Sequence, residues 1–345
     1  FTGLVRDDKG RKMSKQLGNS PDPIELIENY GADGVRIGLL FSAPAGNDLL
    51  FDEKLCIQGK NFSNKIWNAF RLINGFDLSS KKKQTMYETA AIKWFNENLN
   101  LKINLINKSF EKFKISEALM ITYKLVWDDF CSTFLEIIKP NYGDKISTKT
   151  IDEVNGFFRK ILSTLEPFMP FISQELNEKL NFSEKKLEWP DTNDHDKIVI
   201  NNFNHINELV TKVRNFKKTN NIPFKDSVKI YYDNEILDDE LKSVLKKLTY
   251  SELIYSKKQE NSEMNSILIE KYNYHIKSEK ALNEDDVLKI KEALEYNIGF
   301  KKILEKKLLN KKFIDNAPKI VVDNEKKKLD DVHTKIKILE NKLKN

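Results

Sequence analysis

Near the start of the chain, Gly10-Arg11-Lys12-Met13-Ser14-Lys15-Gln16-Leu17-Gly18-Asn19-Ser20 packs three cations, Arg11, Lys12 and Lys15, into five positions between two glycines. A loop of this kind can wrap a triphosphate and follow negative charge as it moves onto a leaving pyrophosphate. Lysine suits that task because its ammonium is a flexible point charge, whereas arginine presents a fixed fork. A solvated turn can have the same composition. It is not a Walker loop, since no Gly-x-x-x-x-Gly-Lys-Ser/Thr string occurs.

A second group lies between Gly59 and Gly75. Phe62, Ile66, Trp67, Ala69, Phe70 and Ile73 fall on one helical face, and Asn61, Asn64, Lys65, Asn68 and Arg71 fall on the other. Asparagine is a poor helix former, so three along one stripe do not serve helix stability. Amide and cationic side chains of this sort read base edges and fix phosphates. In a chain rich in Lys and Asn an ordinary polar face would look alike, and the chemistry alone leaves both readings open. A third basic cluster, Arg214-Asn215-Phe216-Lys217-Lys218, fits either a phosphate contact or a solvated helix end.

Other candidates are weaker. Asp128 and Asp129 are adjacent on a helix and point apart, which suits capping or salt bridges better than acid–base work. Trp127, Phe130 and Phe168 recur at core-like positions. Cys56 and Cys131 are isolated, as are the four histidines, which argues against a zinc site or a disulfide framework. A reducing cytoplasm is the expected compartment. The 58 basic and 52 acidic side chains leave a formal charge of +6, which permits a polyanionic partner without demanding one.

Four stretches must position these groups. Residues 1–50 mix short strand-like runs with Gly and Pro, the texture of a nucleotide-fold edge. This segment has no initiator Met and opens on a strand, as an internal cut in a longer chain would. Asp22 can N-cap a helix with Pro23 at its first position. Residues 51–192 read as long amphipathic helices broken near Pro140, Pro167, Pro170 and Pro190. Residues 193–280 are mixed, with a helix around Phe203–Lys218 and β-type segments at Val228–Tyr232 and Ile267–Ile276. In 281–345 Val322, Leu329, Val332, Ile336, Leu339 and Leu343 follow heptad spacing, with Glu325 at one inward slot. Val287, Ile290, Leu294, Ile298, Leu304 and Leu308 make a second stripe across a break at Asn316-Ala317-Pro318. Two such stripes predict an antiparallel hairpin with arms of roughly 40 Å at 1.5 Å per residue. The region holds 16 basic and 12 acidic residues.

Lys12-Met13-Ser14-Lys15-Gln16 resembles the KMSKS signature of class I aminoacyl-tRNA synthetases, with Gln16 in place of the last Ser. The continuation Leu17-Gly18-Asn19-Ser20-Pro21-Asp22-Pro23 and Tyr30-Gly31-Ala32-Asp33-Gly34-Val35-Arg36 is similar to the valyl, isoleucyl and leucyl branch. Phe51-Asp52-Glu53-Lys54 with Gly59 to Arg71, Ile115-Ser116-Glu117-Ala118-Leu119, Tyr123 to Cys131 and Leu165 to Ile172 is similar to the valyl anticodon-binding region. Leu308 to Pro318 resembles the turn of the valyl C-terminal coiled coil. Two lone cysteines speak against the isoleucyl zinc module, and leucyl chains lack the terminal coil.

The resemblance implies a mainly α chain. It comprises the end of a Rossmann-type catalytic domain (1–50), an α-helical anticodon-binding domain (51–192), a small αβ segment (193–280) and a coiled-coil arm (281–345). It implies that Lys12, Met13, Ser14 and Lys15 bind ATP, with Lys12 and Lys15 catalytic and Mg2+ accompanying the nucleotide. It implies tRNA contacts by Lys54, Lys65 and Arg71, alongside Asn61, Asn64, Asn68, Arg214, Lys311 and Lys312. The implied partners are valine, ATP and tRNA(Val), the implied state a monomer. The family's second signature, His-x-Gly-His, does not occur here, so the chain alone is expected to be inactive. A tRNA-binding protein without catalysis, another class I ligase and a structural coiled-coil protein are the alternatives.

Overall fold

The computed structural model describes residues 3–42, 47–180, 186–233, 236–256, 265–278 and 284–309, and positions 322, 324–325, 328–333, 336 and 339–340. It is mainly helical and forms two compact units. One comprises 1–226, 233–253 and 268–273; the other comprises 227–232, 254–267 and 274–345.

The first unit begins with β1 (Val5–Arg6), whose backbone pairs in parallel with β2 (Leu49–Leu50). Between them lie α1 (Pro23–Tyr30) and α2 (Ala32–Phe41). Asp22 caps α1 by accepting from the Ile24 N–H at 2.8 Å, and Pro23 costs nothing at a position that has no hydrogen bond to give. The long helix α3 (Glu53–Asn74) crosses α2 at backbone contact. A Cβ on Gly59 would sit 2.4 Å from the Gly34 carbonyl oxygen, so any side chain there pushes the two helices apart.

Beyond α3 the chain enters β3 (Leu78–Ser79) and then α4 (Met86–Glu111). A reciprocal capping box opens α4: Thr85 Oγ1 accepts from the Glu88 N–H, and the Glu88 carboxylate accepts from the Thr85 N–H. Next come α5 (Ile115–Lys124), a wider π-helical stretch (Leu125–Phe134) and α6 (Leu135–Ile138). The Leu135 N–H reaches back five residues to the Phe130 carbonyl, a geometry that brings Phe130 and Phe134 together over Phe95 at 5.4 and 4.6 Å. Then β4 (Ile146–Ser147) pairs with β3, and α7 (Thr148–Leu165), α8 (Pro170–Lys179), α9 (Lys197–Thr219) and α10 (Asp239–Thr249) complete the helices of this unit. Phe95, Phe130, Phe134, Phe158 and Phe168 are all buried at its centre, and truncating one such ring costs about 3–5 kcal/mol.

Strands β5 (Val228–Tyr232), β6 (Glu252–Tyr255), β7 (Asn265–Ile269) and β8 (Tyr272–Ser278) form one sheet in the order β6-β5-β8-β7. The alternating burial of β5 follows from its Val-Lys-Ile-Tyr-Tyr pattern. In the second unit, α11 (Glu284–Leu309) carries Lys307, which lies 3.2 Å from Glu325. Glu325 also pairs with Lys328 at 2.9 Å and is 7% exposed, so this acidic inward slot is neutralised from both sides.

Candidate functional site

The basic loop is braced from beneath. Asp7 is buried and accepts from the N–H groups of Lys9 and Arg11, from Arg11 Nε and from Asn19 Nδ2 at 2.8–3.1 Å. The Asn19 amide and the Arg11 guanidinium hold its carboxyl well below the usual carboxylate range. Asn19 also accepts from the Ser14 N–H at 2.9 Å and donates to the Lys12 carbonyl at 3.2 Å. Met13 packs against the cluster of Leu26, Val35, Phe51 and Cys56. The Met13 N–H donates to the Val5 carbonyl at 3.0 Å, tying the loop to β1. Ser14 Oγ accepts from the Leu17 N–H and starts a single 3-10 turn over Lys15–Leu17, which closes at Gly18 with φ 62°.

With Met13 turned inward and Arg11 committed to Asp7, Lys12 and Lys15 are exposed. Their ammonium groups have no ion-pair or hydrogen-bond partner among the described residues. Asp7 and Asn19 were missed as braces by sequence reasoning. One signal was available: Asp7-Asp8-Lys9-Gly10 has Asp first and Gly last, as type I turns favour, and the Gly10 N–H does donate to the Asp7 carbonyl.

The loop's platform is joined to the helical bundle by α2. The Asp33 carboxylate accepts from the N–H of Ile172 at 2.8 Å and of Phe171 at 3.4 Å, capping the first turn of α8 from 139 and 138 residues away. Burial pushes the Asp33 carboxyl up, and the two N–H donors pull it back. One turn later Arg36 donates to the carbonyls of Pro167 and Phe168, both at 3.0 Å. Asp33 and Arg36 therefore hold both sides of the α7–α8 turn.

On α3 the apolar face is buried as its spacing predicts, except that Trp67 is only half-buried. Lys54, Asn61, Asn64, Asn68 and Arg71 are exposed along one stripe, and their side chains have no hydrogen-bond partner among the described residues. Asn64 also lines an open cleft of about 530 Å³ with Tyr30, Lys60 and Phe171. Lys65 is set apart from this stripe. It is half-buried, with Nζ 5.3 Å from the centre of the Trp127 ring. Asp129 accepts from Asn98 at 2.9 Å and lies 3.4 Å from Lys102. That arrangement is a half-buried ion pair, with no adjoining proton-transfer partner from Asp128, which is exposed.

In the cluster at 214–218, Arg214 and Lys217 are tied to the protein, while Lys218 is exposed. Arg214 donates to the Leu248 carbonyl at 3.2 and 3.3 Å and lies 5.4 Å from the centre of the Phe224 ring. Lys217 is 2% exposed, and its ammonium donates to the carbonyls of Phe224, Asp226 and Thr249. Lys311 and Lys312 lie outside the described residues. Among the described residues no helix is long and apolar enough to cross a membrane.

Residues 1–52 match the class I tRNA synthetases (I, L, M and V), and residues 93–232 match the anticodon-binding domain of tRNA ligases. The whole chain is 42% identical to a valine–tRNA ligase of Christiangramia forsetii, and 99% of it is 41% identical to a valine–tRNA ligase of Parabacteroides distasonis. The chain spans 40% of the length of each of these relatives. Among solved structures, the leucyl enzyme of the Agrobacterium radiobacter ternary complex with tRNA aligns over 58% of the chain and 24% of its own, at 21% identity and a TM-score of 0.43.

Proposed function

The chain is a homologue of valine–tRNA ligases along its whole length and carries matches to two parts of class I synthetases, and from that premise we propose that it works within a ligase joining valine to tRNA(Val) at the expense of ATP. Lys12 and Lys15 hold the nucleotide's phosphates, Lys15 following the charge onto pyrophosphate as the adenylate forms. Met13 and Ser14 line the same loop, and their inward contacts fix its shape. Mg2+ comes with the nucleotide, bound through the phosphates. The α3 stripe of Lys54, Asn61, Asn64, Asn68 and Arg71, with Lys65 beside it, faces the anticodon stem and loop. The region 281–345, to which Lys311 and Lys312 belong, contacts the tRNA as a clasp. The working enzyme is a cytoplasmic monomer. Arg214 is a poor candidate for tRNA, since its guanidinium already serves the Leu248 carbonyl and the Phe224 ring.

The observation that supports this best is the loop itself. Its arginine and methionine are committed to the fold, and its two lysines are left unneutralised in solvent. For the RNA half of the reading, replacing Lys65 and Arg71 with Ala is expected to weaken tRNA binding by this chain. Each phosphate that is no longer neutralised flattens the log–log salt slope by about 0.7–0.9. Unchanged affinity and slope would remove α3 from the interface.

A further inference from the structure

The basic loop closes on a single side chain. After its 3-10 turn, Gly18 takes φ 62° and turns the chain back, which brings Asn19 beneath the loop. Oδ1 of Asn19 accepts from the Ser14 N–H at 2.9 Å. Its Nδ2 donates to the Lys12 carbonyl at 3.2 Å and to Asp7 Oδ2 at 3.0 Å, so both amide hydrogens are engaged. Met13 lies between the two peptide units held in this way, and its own N–H is committed to the Val5 carbonyl at 3.0 Å. The backbone from Lys12 to Ser14 is therefore set by Asn19 on one side and by β1 on the other. That backbone is where the exposed side chains of Lys12 and Lys15 take their origin. Asp7, only 5% exposed, anchors the amide with a charged acceptor, which binds a donor more strongly than a neutral one. Arg11, with Nη2 2.7 Å from Asp7, is the cation on this pair, whereas Arg6 is engaged by Asp48 and by the Gly10 carbonyl.

Only a side chain with an acceptor and two donors on one short arm meets that pattern. We propose that Asn19 is a positioning residue for adenylate formation, fixing the loop backbone so that the Lys12 and Lys15 ammonium groups reach the nucleotide's phosphates from a set origin. This role rests on the phosphate-holding reading above and adds the group that makes two flexible lysines act from one place. A lysine carries its charge on a flexible four-carbon stem, so its backbone origin is the part of its position that the fold can fix. A misplacement of about 1 Å can cost roughly 10²-fold in rate. Aspartate has the same shape as asparagine and separates the amide's donors from its bulk. In Asn19→Asp an oxygen takes the place of Nδ2 and faces the Asp7 carboxylate and the Lys12 carbonyl. Both bonds become repulsions unless the two carboxylates share a proton. The folded-state pKa of that pair is raised, so the clamp is present at low pH and is lost as pH rises through it.

The experiment follows single-turnover adenylate formation in the chain completed by the remaining part of a ligase, from mildly alkaline to mildly acidic pH. At alkaline pH Asn19→Asp is expected to form the adenylate roughly 10- to 100-fold more slowly than wild type. Half-saturating ATP and the final amount of adenylate per chain should stay at the wild-type values, whereas a purely structural role would lower that amount. Toward acid the gap to wild type should narrow in Asn19→Asp and stay constant in Asn19→Ala, which has no proton to gain. Asp7→Asn combined with Asn19→Asp sets a donor against an acceptor again, and should recover part of the rate lost in Asn19→Asp alone. A wild-type rate in Asn19→Asp at alkaline pH, or a gap that does not change with pH, overturns the positioning role. Lys15→Ala tells that failure from failure of the phosphate reading. If Lys15→Ala is slow while Asn19→Asp is not, the lysines act without the clamp. If Lys15→Ala forms the adenylate at the wild-type rate, the phosphate reading falls and takes this role with it, even where faster tryptic cleavage after Lys12 in Asn19→Asp still shows Asn19 closing the loop.

Discussion

Two stretches of five residues, Arg11 to Lys15 and Arg214 to Lys218, have the same cationic content: one arginine and two lysines each. The fold treats them in opposite ways. At 11–15 an aspartate below the loop takes up the arginine, methionine turns inward, and the lysines are left to solvent. At 214–218 the arginine closes on the end of α10, and Lys217 is sealed against three carbonyls. The difference lies in phase. Ile206, Val210, Val213 and Lys217 share one face of α9, so the lysine occupies a core position and must find acceptors there. In the loop no apolar period exists, and only Met13 is drawn in. A basic cluster therefore reports a ligand site only where its cations fall out of step with the apolar pattern.

Substitutions can break this contrast. The largest effect is expected at Lys217→Ala, which strands three carbonyls in the interior and should lower unfolding stability by about 3 kcal/mol. Lys12→Ala, at an exposed position, should stay within about 0.5 kcal/mol. Urea unfolding of both variants compares them directly, and equal losses would erase the distinction. Next in size is Asp33→Ala, which removes the cap on α8 and should cost about 1 kcal/mol. Its effect should appear as faster amide exchange at Phe171 and Ile172, and unchanged exchange there would contradict the cap.

The smallest effect is one of pH. Asp7 has a folded-state pKa below its unfolded one, so the stability it contributes is complete above the ordinary carboxylate range and is lost only as pH falls below it. Tryptic cleavage after Arg11, Lys12 or Lys15, followed at neutral pH, should therefore be faster in Asp7→Asn than in wild type. A loop cleaved equally fast in both would show that Asp7 does not brace it.

Much of this arrangement is legible in sequence. The α1 cap, the two faces of α3 and the pattern of β5 are local, set by a capping aspartate and by periods of 3.6 and 2. The exposure of Lys12 and Lys15 follows from Gly10 and Gly18 framing a short loop. What sequence hides is long-range. Asp33 and Arg36 look like ordinary helix charges, yet their partners lie more than 130 residues away in the α7–α8 turn. Lys65 sits beside the asparagine stripe in sequence phase but is drawn under Trp127 by a helix that no local pattern could place. Lys217 was open to discovery, because its spacing from Val213 and Val210 betrays it.

The claim that the exposed lysines at 12 and 15 hold nucleotide phosphates meets its most direct test in valine-dependent ATP–pyrophosphate exchange, measured on the chain completed by the remaining part of a ligase. Lys15→Ala is expected to lower kcat roughly 10²- to 10³-fold, the loss typical of one preorganised charge at a transition state, with melting unchanged. Exchange at the wild-type rate in that variant would contradict the claim.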